Sequence, residues 1–173
     1  MSISISTIYK ATTAQALGGL TGILAKARDH VNAAGAAEDD YLQSRIIEDM
    51  HPMIWQAQMI SEFAVRGGAR LSGKQTEDMV DIPFEESSFD DLIARVQTCL
   101  AMVMAYDDAV LDGAGDTEIT MPIGPDQELT LTGQSYLLSF YLPNLFFHVT
   151  TAYDLLRGKG VEIGKRDFLN FGG

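Results

Sequence analysis

The chain has 173 residues, 46% hydrophobic and 21% charged, a globular composition long enough to bury the core of one domain without disulfides or structural metals. Twelve Lys and Arg against 24 Asp and Glu give a formal charge of -12, and so acidic a surface repels phosphate backbones and anionic lipids, which argues against nucleic-acid and membrane partners. The single cysteine, Cys99, excludes an internal disulfide and predicts a cytoplasmic location.

The N-terminal part of the chain predicts two long helices joined by an acidic connector. Apolar residues recur at three- and four-residue spacing between about residues 7 and 34, which is the pattern of an amphipathic helix. The connector, residues 36–50, is expected to hold a short helix around Tyr41. The second long helix is predicted to extend from residue 49 or 51 to about residue 71, with Pro52 in its first turn.

The middle of the chain predicts a crossover, a third helix and a β-hairpin. Residues 72–87 are polar and irregular, and a crossover of this length lets the third helix run parallel to the second. The third helix is predicted to follow a cap at Ser88 and to end at about residue 109. Residues 118–123 and 128–132 alternate between apolar and polar side chains around a turn, which is typical of a β-hairpin. Two strands alone are marginally stable in water, so the hairpin should pack against the helices.

The fourth predicted helix, residues 134–157, is apolar on nearly all sides. Such a helix needs other helices around it, so the sequence predicts an all-α four-helix bundle with the small hairpin between its third and fourth helices. Thr132 is expected to cap this helix and Pro143 to kink it. Asn144 and His148 lie four residues apart on one face, so the interior of the bundle should contain a small polar site.

His148 is the best single candidate for chemistry, because an imidazole can act as an acid, a base or a metal ligand near neutral pH. Gln58 and Glu62, four residues apart on the second helix, are candidates to line a pocket together with His148 and Asn144. Two interpretations stay open. These polar groups bind a small molecule, or they are satisfied structurally, His148 by a hydrogen bond and Glu62 by Arg66 one turn away.

The histidines by themselves do not predict a metal site. The chain has three, His30, His51 and His148, and the packing of the helices decides whether His51 at the start of the second helix reaches His148. A catalytic zinc ion takes three protein ligands. No HExxH, CxxC or carboxylate-rich ligand pattern is present in the sequence.

Two segments carry a resemblance to a known family. MHPMIWQAQMISEFAVRGGARLSG in the second helix and LPNLFFHVTTAYDLLRGKGVEIGKRDFL from the fourth helix onward resemble an uncharacterised bacterial domain-of-unknown-function family within the DinB/YfiT-like superfamily. The resemblance extends over essentially the whole chain, including the hairpin. It implies a DinB-like four-helix bundle of up-down-down-up topology, and it implies a homodimer.

The resemblance also implies where a metal would bind. The metal site of the superfamily resembles one histidine on the second helix and an HxxxH pair on the fourth. In this chain the pair falls on Asn144 and His148, and the remaining position falls at or near Gln58, with Glu62 four residues later. An amide does not replace a neutral imidazole as a strong ligand of Zn or Ni. We therefore expect a hydrogen-bonded cluster of Gln58, Asn144 and His148 without a tightly bound metal.

Three functions remain open, and with them the question whether the protein is an enzyme. The first is a pocket around His148 that binds a small-molecule ligand. The second is a metal-dependent thiol transferase, the activity of some superfamily members that the chain resembles, which would need a divalent metal held by His148, His51 and Glu62. The third is a non-enzymatic dimeric interaction module, for which the eight methionines offer an adaptable contact surface.

Overall fold

Four long helices form the frame of the structure, a computed structural model that describes residues 3–171. In chain order the elements are α1 (Ile5–Ala34), α2 (Asp39–Leu42), α3 (Met53–Leu71), α4 (Phe89–Met104), α5 (Asp108–Asp112), β1 (Glu118–Gly124), β2 (Gln127–Thr132), α6 (Gly133–Ser135), α7 (Leu142–Gly158) and α8 (Lys165–Phe168). Both α1 and α3 pack against α4 and against α7, so the apolar faces of the long helices meet in one core. Within the described residues, no helix combines the length and the apolar character that a membrane span needs.

Helix α1 confirms the first predicted helix and begins two residues earlier. Ser4 caps it by accepting a hydrogen bond from the backbone N–H of Thr7. It ends at Gly35, whose φ of 61° lies in the left-handed region that glycine adopts without strain. Gly19 lets the C-terminal segment pack closely on α1, because a Cβ atom there would lie 2.6 Å from the carbonyl oxygen of Phe168.

The second long helix starts later than the sequence predicts. Pro52 is the residue before α3 and has extended backbone with ψ of 169°, so it cannot belong to the first helical turn. His51 therefore lies outside the helix. The expected short helix around Tyr41 is present as α2. The crossover is irregular as predicted, except for a single 3-10 turn at Thr76–Asp78.

The third long helix is shorter than predicted. Ser88 caps it as expected, by accepting a hydrogen bond from the backbone N–H of Asp91, but α4 ends at Met104. Asp107 then caps the separate helix α5 by accepting from the backbone N–H of Val110. An aspartate in this position ends one helix and starts another because its carboxylate competes with carbonyl oxygens for backbone N–H groups.

Strands β1 and β2 form the predicted hairpin. They pair antiparallel, and the turn between them passes through Asp126 with a positive φ of 58°. Ile119 and Met121 of β1 are buried. The hairpin is thus held by apolar contact with the rest of the chain, as expected for two strands that would be marginally stable alone.

The fourth predicted helix is present, but part of it is not α-helical. Thr132 caps α6 by accepting from the backbone N–H of Ser135, as predicted. Residues Tyr136–Tyr141 then form a π-helix that leads directly into α7. Pro143 in the first turn of α7 has no N–H to donate to a carbonyl oxygen of the preceding turn. Its ring also crowds that carbonyl, so the preceding turn departs from regular α-helical geometry. Tyr141 packs against Gly67 of α3, where the ring would overlap any Cβ atom.

The C-terminal segment folds back onto the long helices. Val161 and Ile163 are buried, and α8 packs against α1. The carbonyl oxygen of Phe168 accepts a hydrogen bond of 2.9 Å from the side chain of Gln15. These contacts cover one side of α1.

Candidate functional site

His148 lies on α7, which packs against α3, and its ring is half-buried. Its Nδ1 atom lies 2.8 Å from Oε1 of Gln56 on α3. The amide nitrogen of Gln56 donates a hydrogen bond of 3.2 Å to the carbonyl oxygen of His51, and this second bond assigns the orientation of the amide. Gln56 is only 2% exposed, so water competes little for either hydrogen bond.

The hydrogen bond with Gln56 determines which ring nitrogen of His148 carries the proton. An amide oxygen accepts, so Nδ1 must donate, and in a neutral ring Nε2 then keeps its lone pair. The pKa of His148 is lowered to about 4, first by burial and second by the charge of His51. At neutral pH the ring is therefore uncharged and presents Nε2 as a hydrogen-bond acceptor.

Aromatic rings frame the imidazole of His148 on two sides. Trp55 meets it edge to face with ring centroids 5.6 Å apart, and Phe147 does so at 5.3 Å. His51 stacks on Trp55 with ring centroids 3.8 Å apart. Phe147 is 56% exposed and Trp55 is half-buried, so this apolar frame is open to solvent on one side. We call His51, Trp55, Gln56, Phe147 and His148 the His148 site.

Two other residues predicted for the pocket have their hydrogen bonds elsewhere. Asn144 lies one turn from His148 on α7, but its Nδ2 donates to the carbonyl oxygen of Phe140 at 2.7 Å. The side-chain nitrogen of Gln58 donates to Oε2 of Glu86 at 3.0 Å. The expected hydrogen-bonded cluster of Gln58, Asn144 and His148 is therefore not formed, and that prediction is wrong.

The rotation of α3 explains why a different glutamine reaches His148. Two residues along an α-helix correspond to a rotation of about 200°, so Gln58 points away from the side that Gln56 occupies. Gln56 lies four residues before the buried Ile60, and this spacing within the apolar stripe could have identified it. Glu62 forms an ion pair with Arg66 at 2.6 Å. Of the two interpretations of Glu62, a pocket residue or a partner of Arg66, the structure shows the second.

The donor atoms around His148 do not fit the three-histidine metal site that the resemblance implies. Nε2 of His148 is one strong ligand, but the amide oxygen of Gln56 accepts from Nδ1, and Asn144 offers only an amide, which is a weak ligand of Zn or Ni. Among residues 3–171, no three His, Cys, Asp or Glu side chains are grouped so that they could hold a metal ion.

Comparison with known proteins identifies relatives but no activity. Residues 7–169 match the family described as Domain of unknown function (DUF1993). The crystal structure of a DinB family member protein from Shewanella denitrificans is similar to the chain, with a TM-score of 0.85 and 30% sequence identity, and the match covers 95% of this chain and 90% of that chain. No curated protein matches the chain. These relatives therefore assign no chemistry to the His148 site.

Proposed function

The chain belongs to the DUF1993 family within the DinB-like superfamily, as the resemblance predicted, and on that premise we propose that it binds a small molecule at the His148 site. The observation that carries the proposal is the 2.8 Å hydrogen bond between Nδ1 of His148 and Oε1 of Gln56. That bond leaves Nε2 as an acceptor beside an apolar and partly exposed frame. Small-molecule sites have this composition, in which a few oriented polar groups lie among apolar walls.

The ligand that this geometry favours is a flat, mostly apolar molecule that donates a hydrogen bond. Nε2 of His148 accepts from an N–H or O–H group, and the rings of Trp55 and Phe147 offer apolar contact area. An imidazole with a pKa of about 4 is a weak base at neutral pH, so we propose that His148 binds the ligand rather than abstracting a proton. The net charge of -12 disfavours an anionic ligand.

We further propose three finer features that the sequence predicts. The first is the up-down-down-up order of the long helices, supported by an irregular connection between α3 and α4 that is long enough for the two to run parallel. The second is the homodimer that the resemblance implies, supported by the exposed side chain of Met104, since methionine is enriched at interfaces. The third is a cytoplasmic location, supported by the single cysteine.

Trp55 is the only tryptophan of the chain, so its fluorescence reports directly on the His148 site. We would titrate the protein with phenol and with anisole, which share the aromatic ring and differ in the O–H group. Phenol should bind about fivefold more tightly, because one hydrogen bond contributes about 1 kcal/mol. The change in Trp55 emission measures both affinities, and ligand-observed NMR confirms them.

The variant His148→Phe keeps a ring at this position and removes the acceptor, so phenol and anisole should bind to it equally. His30→Phe removes an imidazole from α1, outside the His148 site, and is the matched control that should keep the preference for phenol. Equal affinity of the two probes for the unmodified protein would contradict the proposed function. A preference that survives in His148→Phe would contradict it as well.

A further inference from the structure

The ring of His51 covers one face of Trp55 inside the His148 site. Its imidazole stacks on the indole with ring centroids 3.8 Å apart and an angle of 14° between the ring planes. This separation is that of atoms in van der Waals contact, so the face of the indole accepts a flat ring. His51 is exposed and Trp55 is half-buried, so this face is reached from the solvent. A side chain of the protein thus occupies an aromatic surface that a ligand could use.

The backbone of His51 is fixed, whereas its ring is free to move. The carbonyl oxygen of His51 accepts a hydrogen bond of 3.2 Å from the side chain of Gln56. The next residue is the buried Pro52, and a proline restricts the backbone of the residue before it. Within residues 3–171 the imidazole of His51 forms no hydrogen bond and no ion pair, so the stack on the indole is what holds it. Rotation of the side chain alone takes the ring off Trp55, and exposed side chains rotate rapidly.

The face that His51 covers lies close to the free nitrogen of His148. The indole of Trp55 contacts both imidazoles, with ring centroids 3.8 Å from His51 and 5.6 Å from His148. The amide of Gln56 also joins the two residues, since it is bonded to Nδ1 of His148 and to the carbonyl oxygen of His51. The two imidazoles are therefore held around one indole, at a separation that a molecule with two fused aromatic rings can span.

We propose that the His148 site binds an uncharged molecule with two fused aromatic rings, and that one of these rings displaces the imidazole of His51 from Trp55. The other ring carries the O–H or N–H group that donates to Nε2 of His148. In the free protein the His51 ring keeps the indole covered. This assignment rests on the proposed function, and it adds the size of the ligand and the side chain that competes with it.

The stack of His51 on Trp55 lowers the affinity for such a ligand. The two-ring molecule binds only to the fraction of molecules in which the indole is uncovered. One aromatic contact favours the covered state about fivefold, so removal of the ring should strengthen binding by about the same factor. A ring of His51 that formed part of the binding wall would act in the opposite direction, because its removal takes contact area away from the ligand.

The probes are 2-naphthol and phenol, which share an O–H donor and differ by one ring. Ligand-observed NMR measures the affinity of each for the unmodified protein and for two variants of His51. His51→Ala uncovers the indole and should bind 2-naphthol about fivefold more tightly, with the affinity for phenol unchanged. The hydrogen bond to Gln56 comes from the backbone of residue 51, so this variant keeps it. His51→Phe is the matched control, because it keeps a flat ring on the indole and should bind 2-naphthol as the unmodified protein does.

The ring protons of His51 report the displacement directly. The chain has three histidines, so His51→Ala identifies the signals of His51 by their loss. In the free protein the ring current of the indole shifts these signals upfield. Saturation with 2-naphthol should move them toward the positions of a histidine in solvent, whereas phenol should leave them upfield.

Two results would overturn the proposed displacement. The first is that His51→Ala binds 2-naphthol no more tightly than the unmodified protein does. The second is that the signals of His51 stay upfield when 2-naphthol is bound. Either result leaves intact the preference for phenol over anisole, which tests the proposed function separately. Equal binding of phenol and anisole would contradict the proposed function, and the displacement would fall with it.

Discussion

Gln56 and Gln58 lie two residues apart on α3, and both are buried. Their amides contact titratable side chains that are kept away from water in two different ways. Gln56 accepts a hydrogen bond from the neutral imidazole of His148. Gln58 donates to Glu86, which pairs with Arg95. A titratable group is tolerated away from water either when it gives up its charge or when an opposite charge compensates it. On the side of Gln56 the imidazole is neutral, and on the side of Gln58 the carboxylate is paired with a guanidinium.

The difference decides how much of each group is available for a ligand. The neutral ring of His148 uses one nitrogen for Gln56 and keeps the lone pair of the other. Arg95 uses four of its five N–H groups for the chain itself, through two bonds from each terminal nitrogen, and only Nε–H is left. The His148 site therefore keeps an acceptor that no group of the chain uses, whereas the cluster around Arg95 is a structural contact that fixes the crossover.

The largest expected effect is the loss of the charge on Arg95. Arg95→Met leaves the carboxylate of Glu86 without its partner and removes the contacts that hold the crossover. We expect a decrease of about 3 kcal/mol in the free energy of unfolding, as for other buried ion pairs broken on one side. Urea denaturation followed by circular dichroism measures it.

Arg28→Met is the matched control for this experiment. Arg28 also pairs with carboxylates, those of Asp29 and Asp90, but on the surface. Exposed ion pairs are screened by water and salt and contribute little, so the control should change stability little. If the two variants lose the same stability, the cluster around Arg95 does not behave as a buried pair and the comparison fails.

The next largest effect is the pH dependence that His148 gives to the free energy of unfolding. The pKa of His148 is about 4 in the folded chain and close to 6.5 in the unfolded chain, so the unfolded chain takes up the proton first as the pH falls. The stability that the neutral ring contributes is therefore complete above about pH 6.5 and is lost as the pH falls toward about 4. Because the ring is partly open to solvent, we expect it to contribute about 1–2 kcal/mol to the free energy of unfolding, less than the whole pKa difference would give.

Urea denaturation of the unmodified protein and of His148→Phe, at about pH 7 and about pH 4.5, measures this contribution. The unmodified protein should lose about 1–2 kcal/mol more than the variant between the two pH values. His30→Phe controls for the removal of one histidine from another helix. Parallel behaviour of the unmodified protein and His148→Phe would mean that the ring is not held neutral by its surroundings.

One substitution made at two neighbouring positions sharpens the comparison further. Gln56→Glu places a carboxylate beside Nδ1 of His148, which favours the imidazolium and should raise the pKa of His148 by about 1 unit or more. Gln58→Glu, two residues away, places the carboxylate beside Glu86 instead and should leave the pKa of His148 near 4. The chemical shifts of the ring protons of His148 as a function of pH measure both values. Identical titrations would show that Gln56 does not set the protonation of the ring.

The helices could be predicted from the sequence wherever a local signal marks them. Ser88 and Thr132 were predicted as caps, and both accept the expected backbone hydrogen bonds. The end of α4 at Met104 could not be predicted from the apolar pattern, because that pattern continues to residue 109 and the cap at Asp107 competes with it. The π-helix at Tyr136–Tyr141 could not be predicted either, since Pro143 indicates a disturbance without determining its form.

Only the part of the candidate site that depends on local spacing could be predicted from the sequence. Spacing along α7 marks His148 as a polar residue in an apolar helix, because the pattern around it is local. Its partner on α3 depends on how that helix is rotated about its axis, and an assignment displaced by two residues selects Gln58 instead of Gln56. The lowered pKa of His148 depends on the packing of Trp55 and Phe147 around the ring, which no spacing expresses.

The smallest expected effect concerns Asn144, the other half of the pair on α7. Its side chain donates to the carbonyl oxygen of Phe140 at 2.7 Å, so Asn144→Ala removes one hydrogen bond where the π-helix meets α7. The loss should be about 1 kcal/mol or less, because alanine has the higher helix propensity. The preference for phenol over anisole should stay unchanged, since Nε2 of His148 is the acceptor. If Asn144→Ala lowers that preference as far as His148→Phe does, Asn144 contacts the ligand, and the binding site extends one turn further along α7 than the His148 site.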